Sequence, residues 1–346
     1  MNGPKTLAFG GMLVLLTACG ESSSGASSES RSEGEDLAKT QQLNVSVFPG
    51  ASNWPLWVAN EKGFFSRERV RVDVSPTPNS VEQMTGLIEG RIDIALTAID
   101  NIVAYREGQA PVPVLGPDLV AVMGIDHGFL RVISAPAVRT YEDLRGKTVS
   151  VDAPATGFAF VLYEMLDRAG LKYKSDYTIA SAGGTASRYQ ALMRGEQSAT
   201  CLTPPYDIQA EAAGYHRLDT AVEILGSYQG LVAGVRQSWA RANRRAMISY
   251  ITAYRNAVNW LYDPRHEAEA IAIFGRNMPD MPADVAAKVH RAFFVDANGL
   301  LRDGAINVEG TKMVLALRSK YAEPQKELTD PAPYIDTSFL ESASSR

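Results

Sequence analysis

The sequence predicts an α/β fold with two lobes, in each of which a mostly parallel sheet is flanked by helices. Two observations indicate this fold. Short apolar runs of strand length alternate with helical periodicity over nearly 200 residues after about residue 43, which is typical of βαβ units. Near residue 130 this pattern starts again with a core of its own. We therefore expect two similar units that face each other across a cleft.

The first unit opens with a strand, a loop and a helix. Val45, Val47 and Phe48 form an apolar run that is predicted to be the strand. Pro49 and Gly50 end this run. A helix then follows from residue 54 to a glycine at 63. The remaining strands of this unit are predicted at 70–74, 92–96, 112–115 and 119–125, and its helices at 81–88 and 99–105.

The second unit repeats this order, and a helical segment follows it. Its strands are predicted at 130–134, 149–151, 177–180 and 199–202, and its helices at 158–166, 186–194 and after Pro204-Pro205. Helices at 238–262, 266–274, 282–293 and 308–321 should then pack back on the first unit, because an amphipathic helix must bury its apolar stripe. The chain would thus cross between lobes near 128–131 and 229–233. This places lobe 1 at 43–129 plus 231–340 and lobe 2 at 130–230.

Composition and charge exclude several classes of partner. The 346 residues are 45% hydrophobic and 21% charged, which is ordinary for a globular protein. The net charge of -5 is not gathered into blocks of like charge, so neither a nucleic-acid-binding face nor a polybasic membrane patch is predicted. We expect a monomer that binds no nucleic acid.

The first residues indicate export. Lys5, the apolar stretch 7–16 and Leu16-Thr17-Ala18-Cys19 resemble a bacterial lipoprotein signal, in which residues 1–18 are removed and Cys19 carries the lipid, such as palmitate. An ordinary secretory signal that contains a cysteine is the alternative. Residues 19–42 would be a disordered Ser/Gly/Glu tether, and the protein would be extracytoplasmic and lipid-anchored to a membrane of the cell envelope. Cys201 then has no disulfide partner; an inert buried thiol is favoured over a nucleophile.

Five segments in this order resemble a known family. They are 55–65 (PLWVANEKGFF), 90–96 (GRIDIAL), 143–149 (DLRGKTV), 192–196 (LMRGE) and 328–331 (LTDP). Over about residues 44–340 the chain is similar to the substrate-binding proteins of bacterial ABC importers, in the group for sulfonates, taurine, nitrate and thiamine pyrimidine precursors. The resemblance implies the type II periplasmic binding protein fold with a two-segment hinge, a small-molecule solute, and a permease with its ATPase as partners.

Ligand contacts are expected from loops after strands and from helix N-termini. The candidates are Ser52, Asn53, Trp54, Asn79, Thr97, Asp100, His127, Asp152, Thr156, Phe158, Thr185 and Tyr206. Further residues considered in these loops are Thr77, Pro78, Ser80, Asn101, Asp126, Gly157, Gly183, Gly184 and Thr203, and Arg188 lies one turn into the helix that follows Thr185.

Several of these residue types also have structural roles. Trp54 either stacks on a ligand or packs in the core. Thr156 and Thr185 either bind the ligand or cap their helices, since both roles use the same groups. Asp100 and His127 have structural alternatives too, and Arg188 would more often be solvated or salt-bridged.

Two classes of solute fit these residues. Aromatic faces (Trp54, Phe158, Tyr206) with carboxylates (Asp100, Asp126, Asp152) suit a small heterocycle of the pyrimidine-precursor type. Thr156, Thr185 and Arg188 suit an alkanesulfonate, nitrate or other organic anion. The number of acidic residues favours the heterocycle, and the anion remains the alternative.

Catalysis is not predicted. No nucleophile-elbow or zinc-protease motif and no Cys/His cluster with metal spacing occurs in the sequence, so we expect no enzyme activity, metal or cofactor. An enzyme or a tethered sensor on the same fold stays open as an alternative to an importer component.

Overall fold

The computed structural model describes residues 40–295 and 299–345. The predicted signal peptide, Cys19 and the tether up to residue 39 lie outside the described residues. The tether was predicted to reach residue 42, but the first strand already begins at Gln41. Within the described ranges, no helix combines the length and apolar character needed to cross a membrane.

The first sheet has five strands in the order β2-β1-β3-β10-β4. β10 is antiparallel to both of its neighbours, and the other four strands run in one direction. The strands are β1 (Gln41–Val47), β2 (Val70–Pro76), β3 (Ile94–Ala98), β4 (Leu119–Gly124) and β10 (Leu231–Arg236).

The second sheet has the order β7-β6-β8-β5-β9. Here β5 is the antiparallel strand. The strands are β5 (Arg131–Ser134), β6 (Thr148–Val151), β7 (Thr178–Ser181), β8 (Ala199–Leu202) and β9 (His216–Thr220). In each sheet, therefore, the antiparallel strand is the one that follows a crossing from the other sheet.

Helices cover both sheets. Those between strands of the first sheet are α1 (Trp54–Glu61), α2 (Phe64–Arg67), α3 (Ser80–Ile88) and α4 (Ile99–Glu107). Those of the second are α5 (Gly157–Arg168), α6 (Thr185–Met193), α7 (Tyr206–Ala212) and α8 (Ala221–Leu225). After β10 come α9 (Gln237–Ala242), α10 (Arg244–Leu261), α11 (Glu267–Asn277), α12 (Ala283–Phe294), α13 (Val308–Tyr321) and α14 (Ser338–Ser344).

Two predicted elements differ from the structure, and strand β9 is an element that was not predicted. Residues 112–115 are not a strand: Pro113 has no N–H for a sheet, and Leu115 is 63% exposed. The helix predicted over 238–262 is two helices, α9 and α10, interrupted at Asn243, whose side-chain oxygen accepts a hydrogen bond from Gln41. Strand β9 was not predicted because its partly exposed sequence, HRLDT, lacks an alternating apolar pattern.

Two short segments connect the sheets. The chain leaves the first sheet between β4 and β5 and returns between α8 and β10. The two segments are hydrogen-bonded to each other, since Gln229 Nε2 donates to the backbone oxygens of Asp126 and Leu231, each at 3.0 Å. This pair of adjacent crossings has the geometry of a hinge.

Helix α13 connects segments of both lobes through a fully buried arginine. Arg318 forms a bidentate ion pair with Asp100 at the start of α4, with distances of 2.7 and 2.8 Å. Its Nη1 donates to the Gln109 oxygen at 3.1 Å and its Nη2 to the oxygen of Ala155 at 3.1 Å. Ala155 belongs to the loop between β6 and α5, so Arg318 holds that loop from behind.

Candidate functional site

A cavity lies between the two sheets, where loops that follow their strands meet. Its volume is about 70 Å³ by a measure in which one water molecule needs about 10 to 15 Å³. The cavity therefore suits a small solute. Its lining residues are Phe48, Pro49, Gly50, Ser52, Asn53, Ser80, Leu96, Ala98, Asn101, Asp126, Phe129, Asp152, Thr156, Gly157, Phe158, Gly184, Thr185, Arg188, Thr203 and Leu231.

Half of the twelve candidate ligand residues line this cavity. They are Ser52, Asn53, Asp152, Thr156, Phe158 and Thr185. Four residues considered in the same loops, Ser80, Asn101, Asp126 and Thr203, line it as well, and so do Arg188 and Gly184. The apolar part of the wall (Phe48, Leu96, Ala98, Phe129 and Leu231) was not predicted, because apolar residues at strand ends carry the same signal as the core.

Trp54 is not a ligand-stacking residue in this structure. Its side chain is 0% exposed and its indole N–H donates to the Ala270 oxygen at 3.0 Å. The ring packs against Phe274, His290 and Phe294, with centroids 4.6 to 5.7 Å apart. As the first residue of α1, Trp54 points into the helical layer and anchors the loop that carries Ser52 and Asn53.

Asp100 and Thr97 are also structural. The Asp100 carboxylate is occupied by Arg318, so neither oxygen is left for a solute. Thr97 is fully buried, and its hydroxyl accepts a hydrogen bond at 2.8 Å from Asn101, which is the residue that reaches the cavity.

The last three candidates lie elsewhere. Asn79 caps α3, with its side chain accepting from the Glu82 N–H at 2.8 Å. His127 lines a separate surface pocket on the hinge, together with Arg217 and Tyr228. Tyr206 packs against Tyr189 in the small core cluster of the second sheet.

Arg188 is the charged centre of the cavity. It is 3% exposed, and burial lowers the pKa of its guanidinium. Nε donates to the Cys201 oxygen at 3.2 Å and Nη1 to the Gly183 oxygen at 2.7 Å. Among the described residues Arg188 forms no salt bridge, and its Nη2 has no hydrogen-bond acceptor. The salt-bridged alternative for Arg188 is therefore wrong.

Two helix N-termini adjoin Arg188 at the cavity. Thr156 and Gly157 begin α5, and Gly184 and Thr185 begin α6. Neither threonine caps its helix through its side chain: Thr156 Oγ1 donates to the Ala153 oxygen at 2.8 Å, and Thr185 Oγ1 accepts from the Thr203 N–H at 3.3 Å. The first N–H groups of both helices carry partial positive charge next to the cavity.

Two carboxylates complete the polar lining. Asp152, in the loop after β6, accepts hydrogen bonds at Oδ2 from the backbone N–H and the hydroxyl of Ser80. Its Oδ1 is buried and has no hydrogen-bond partner in the described part of the chain. Asp126, in the first crossing segment, accepts at Oδ1 from the N–H groups of Gly128 (2.8 Å) and Leu231 (3.1 Å), and burial raises its pKa.

The cleft is closed in this structure by direct contacts between its two sides. Besides the Ser80–Asp152 contact, the Gly184 N–H donates to the Pro78 oxygen at 2.9 Å and the Ala51 N–H to the Pro204 oxygen at 3.1 Å. Because these bonds join loops of different sheets, opening the cleft must break them.

Metal-binding groups are not assembled around the cavity among the described residues. Three or more His, Cys, Asp or Glu side chains suited to hold a metal do not come together anywhere in residues 40–295 and 299–345. Cys201 lies behind Arg188, and burial raises the pKa of its thiol to about 12, which keeps it protonated at neutral pH.

Solved structures with the same fold include two solute-binding proteins. The periplasmic nitrate-binding protein NrtA from Synechocystis is 13% identical, with a TM-score of 0.72, over 89% of each chain. The alkanesulfonate-binding protein SsuA from Xanthomonas axonopodis, bound to MOPS, is 18% identical, with a TM-score of 0.69, over 86% of this chain and 99% of that one. The desulfurization enzyme DSZB also shares the fold, at 14% identity and a TM-score of 0.62, over 88% of this chain and 99% of that one.

Sequence comparison identifies the family. The bicarbonate transport ATP-binding protein CmpC of Synechocystis is 25% identical over 248 residues, which are 66% of this chain and 36% of that protein. The chain thus spans about a third of the length of that relative. The model of the NMT1-like family matches residues 36–275, well over half of the sequence. The chain therefore belongs to the NMT1-like family, and its fold is that of the periplasmic binding proteins.

Proposed function

We propose that this protein is the extracytoplasmic solute-binding component of an ABC importer and that it captures a small anion between its two sheets. The observation that carries this proposal is Arg188, a buried guanidinium that lines the cavity and forms no salt bridge with a carboxylate in the described part of the chain. A buried charge is costly unless a group of opposite charge accompanies it. A bound anion would supply that group at Nη2.

The helix N-termini strengthen the case for an anion. Each contributes roughly half a positive charge through N–H groups that have no partner within the helix. Together with Arg188, the starts of α5 and α6 provide donors from two helices and one guanidinium, a set that suits a nitrate, carboxylate or sulfonate group.

Half of the six residues that favoured a heterocycle are absent from the cavity. Of the three aromatic faces, Trp54 and Tyr206 lie elsewhere and Phe158 remains. Of the three carboxylates, Asp100 is held by Arg318, and the other two already accept hydrogen bonds from the protein. A pyrimidine precursor therefore loses half of its expected contacts, whereas Arg188 and both helix N-termini remain at the cavity, and the anion alternative becomes the better proposal.

The relatives agree with a binding role. NrtA and SsuA are described as binding nitrate and an alkanesulfonate, and CmpC as acting in bicarbonate transport. An enzyme such as DSZB shares the fold, so the fold does not decide the matter. The weakly acidic Cys201 thiol, which does not line the cavity, favours binding over nucleophilic catalysis.

We propose that lipid on Cys19 keeps the protein at the membrane, close to its permease. Labelling of the full chain with radioactive palmitate, compared with its Cys19→Ser variant, tests the anchor. Loss of label and release of the protein from the membrane fraction are the expected results.

The solute class is tested by calorimetric titration of the protein lacking residues 1–39 with nitrate, hydrogencarbonate, alkanesulfonates and pyrimidine precursors. Arg188→Met should weaken anion binding about 10- to 150-fold, since a hydrogen bond to a charged group contributes about 1.5 to 3 kcal/mol. Arg194→Met is the matched control, because Arg194 is 57% exposed and pairs only with Glu196. Binding of the heterocycles but of no anion, or turnover of a bound compound, would contradict the proposal.

A further inference from the structure

The Asp152 carboxylate lines the same cavity as Arg188. A negatively charged group is unexpected in a site for a simple anion. The two groups influence each other electrostatically, but they form no salt bridge. A donor-free anion such as nitrate would meet a negative oxygen that can only repel it. The carboxylate therefore requires its own explanation.

Contacts with Ser80 divide the two oxygens of Asp152 into different roles. Oδ2 accepts two hydrogen bonds from Ser80, on the opposite side of the cleft, so closure fixes the orientation of the carboxylate. Oδ1 is then left buried and without a donor among the described residues. A buried polar atom of this kind normally has a partner, and a charged one is especially unfavourable alone.

Resting on the proposed function, we infer that the solute is an anion that carries its own N–H or O–H donor and that Asp152 Oδ1 accepts this donor. Arg188 and the helix N-termini bind the acidic end of such a solute, and Asp152 selects for the second group. Asp126 also lines the cavity, but its Oδ1 binds both hinge segments, so we assign it to the hinge.

The experiment uses pairs of anions that have equal charge and differ only by a hydroxyl donor. Ethanesulfonate is compared with 2-hydroxyethanesulfonate, and propionate with 3-hydroxypropionate, by calorimetric titration of residues 40–346. In at least one pair the donor-bearing anion should bind at least tenfold more tightly, because only that anion satisfies Oδ1.

The Asp152→Asn variant tests the assignment of the residue. With the amide oxygen held by Ser80, the NH₂ group takes the place of Oδ1 and turns an acceptor into a donor. The preference should then disappear or reverse, with donor-free anions gaining affinity. Asp284→Asn, at an exposed carboxylate of α12 outside the cavity lining, is the matched control and should keep the preference.

The remaining outcomes overturn the inference in distinguishable ways. Equal binding within every pair would mean that water satisfies Oδ1 and that Asp152 does not select. If the Asp126→Asn variant loses the preference and the Asp152→Asn variant keeps it, then Asp126 and not Asp152 accepts the donor of the solute. Binding of none of the anions would overturn the proposed function itself, and this inference with it.

Discussion

Replacing Gly184 with alanine should impair closure of the cleft without affecting either side of it alone. Gly184 is the residue before α6, and its φ of -61° and ψ of 172° are accessible to alanine. In the closed structure, however, an added Cβ would lie 3.0 Å from Phe48 Cδ1 and 3.1 Å from the Pro78 oxygen, both across the cleft. The open form would not contain these contacts.

The size of the effect follows from these two distances. Contacts of 3.0 and 3.1 Å are tighter than about nine in ten real Cβ contacts, so Phe48 and the backbone at Pro78 must shift by a few tenths of an ångström. Such overpacking costs about 1 to 3 kcal/mol. Because the cost falls on the closed form only, the Kd for the solute should rise about 5- to 150-fold. The hydrogen bond from Gly184 to Pro78 would lengthen as well.

Calorimetric titration with the tightest-binding anion of the panel measures this change in Kd. Thermal unfolding of the solute-free protein shows whether the substitution also affects the stability of the fold. The melting temperature without solute should stay within about 2 °C of the original. Gly275→Ala is the control, since its Cβ would meet no atom within 4 Å and the exposed helix position tolerates alanine. Unchanged affinity in Gly184→Ala would refute the idea that solute binding brings these two loops into contact.

Three further predictions concern stability. Trp54→Ala should lower the free energy of unfolding by about 3 to 5 kcal/mol in urea titrations, because it removes a fully buried ring, while the affinity of the folded protein stays nearly the same. A variant with intact stability and weak binding would restore the ligand-stacking role. Arg318→Met should cost about 3 to 5 kcal/mol, since the Asp100 carboxylate stays buried without its partner. Adding Asp100→Leu should recover much of that loss, and a purely additive double variant would contradict the pairing. Asp126 has a raised pKa, so the folded state binds its proton more tightly, and stability should fall as pH rises from about 4 through that pKa. Asp126→Asn should reduce the dependence of stability on pH, measured as the urea midpoint from pH 4 to 7. An unchanged dependence would show that other groups cause it.

Most of the fold could be predicted because strand and helix periods are local signals. Helix α13 begins and ends at the predicted residues, 308 and 321. The failures occur where local sequence says little about neighbours. β9 is held by pairing with β5 and not by an apolar pattern of its own, and the helix predicted over 238–262 is interrupted where Asn243 meets Gln41.

The candidate site was predicted by position in loops, which selects the neighbourhood but not the direction of a side chain. Asn101 and Asp100 are adjacent, yet one lines the cavity and the other is bound to Arg318, more than 200 residues away in the sequence. Likewise Trp54 follows Asn53 directly, but its partners are in α11 and α12. Only the tertiary structure brings these partners together, so a single sequence cannot separate the two roles.

The attachment of the β6–α5 loop to Arg318 matters for anyone who infers specificity by comparison or wishes to graft this cavity onto another scaffold. Arg318 holds the loop from behind, close to Thr156, but it lies beyond residue 275, where the match to the family ends. Two relatives with identical cavity residues could therefore position them differently if this arginine or its aspartate differs. Transplanting the cavity residues alone would carry over the contact surface and leave out its support.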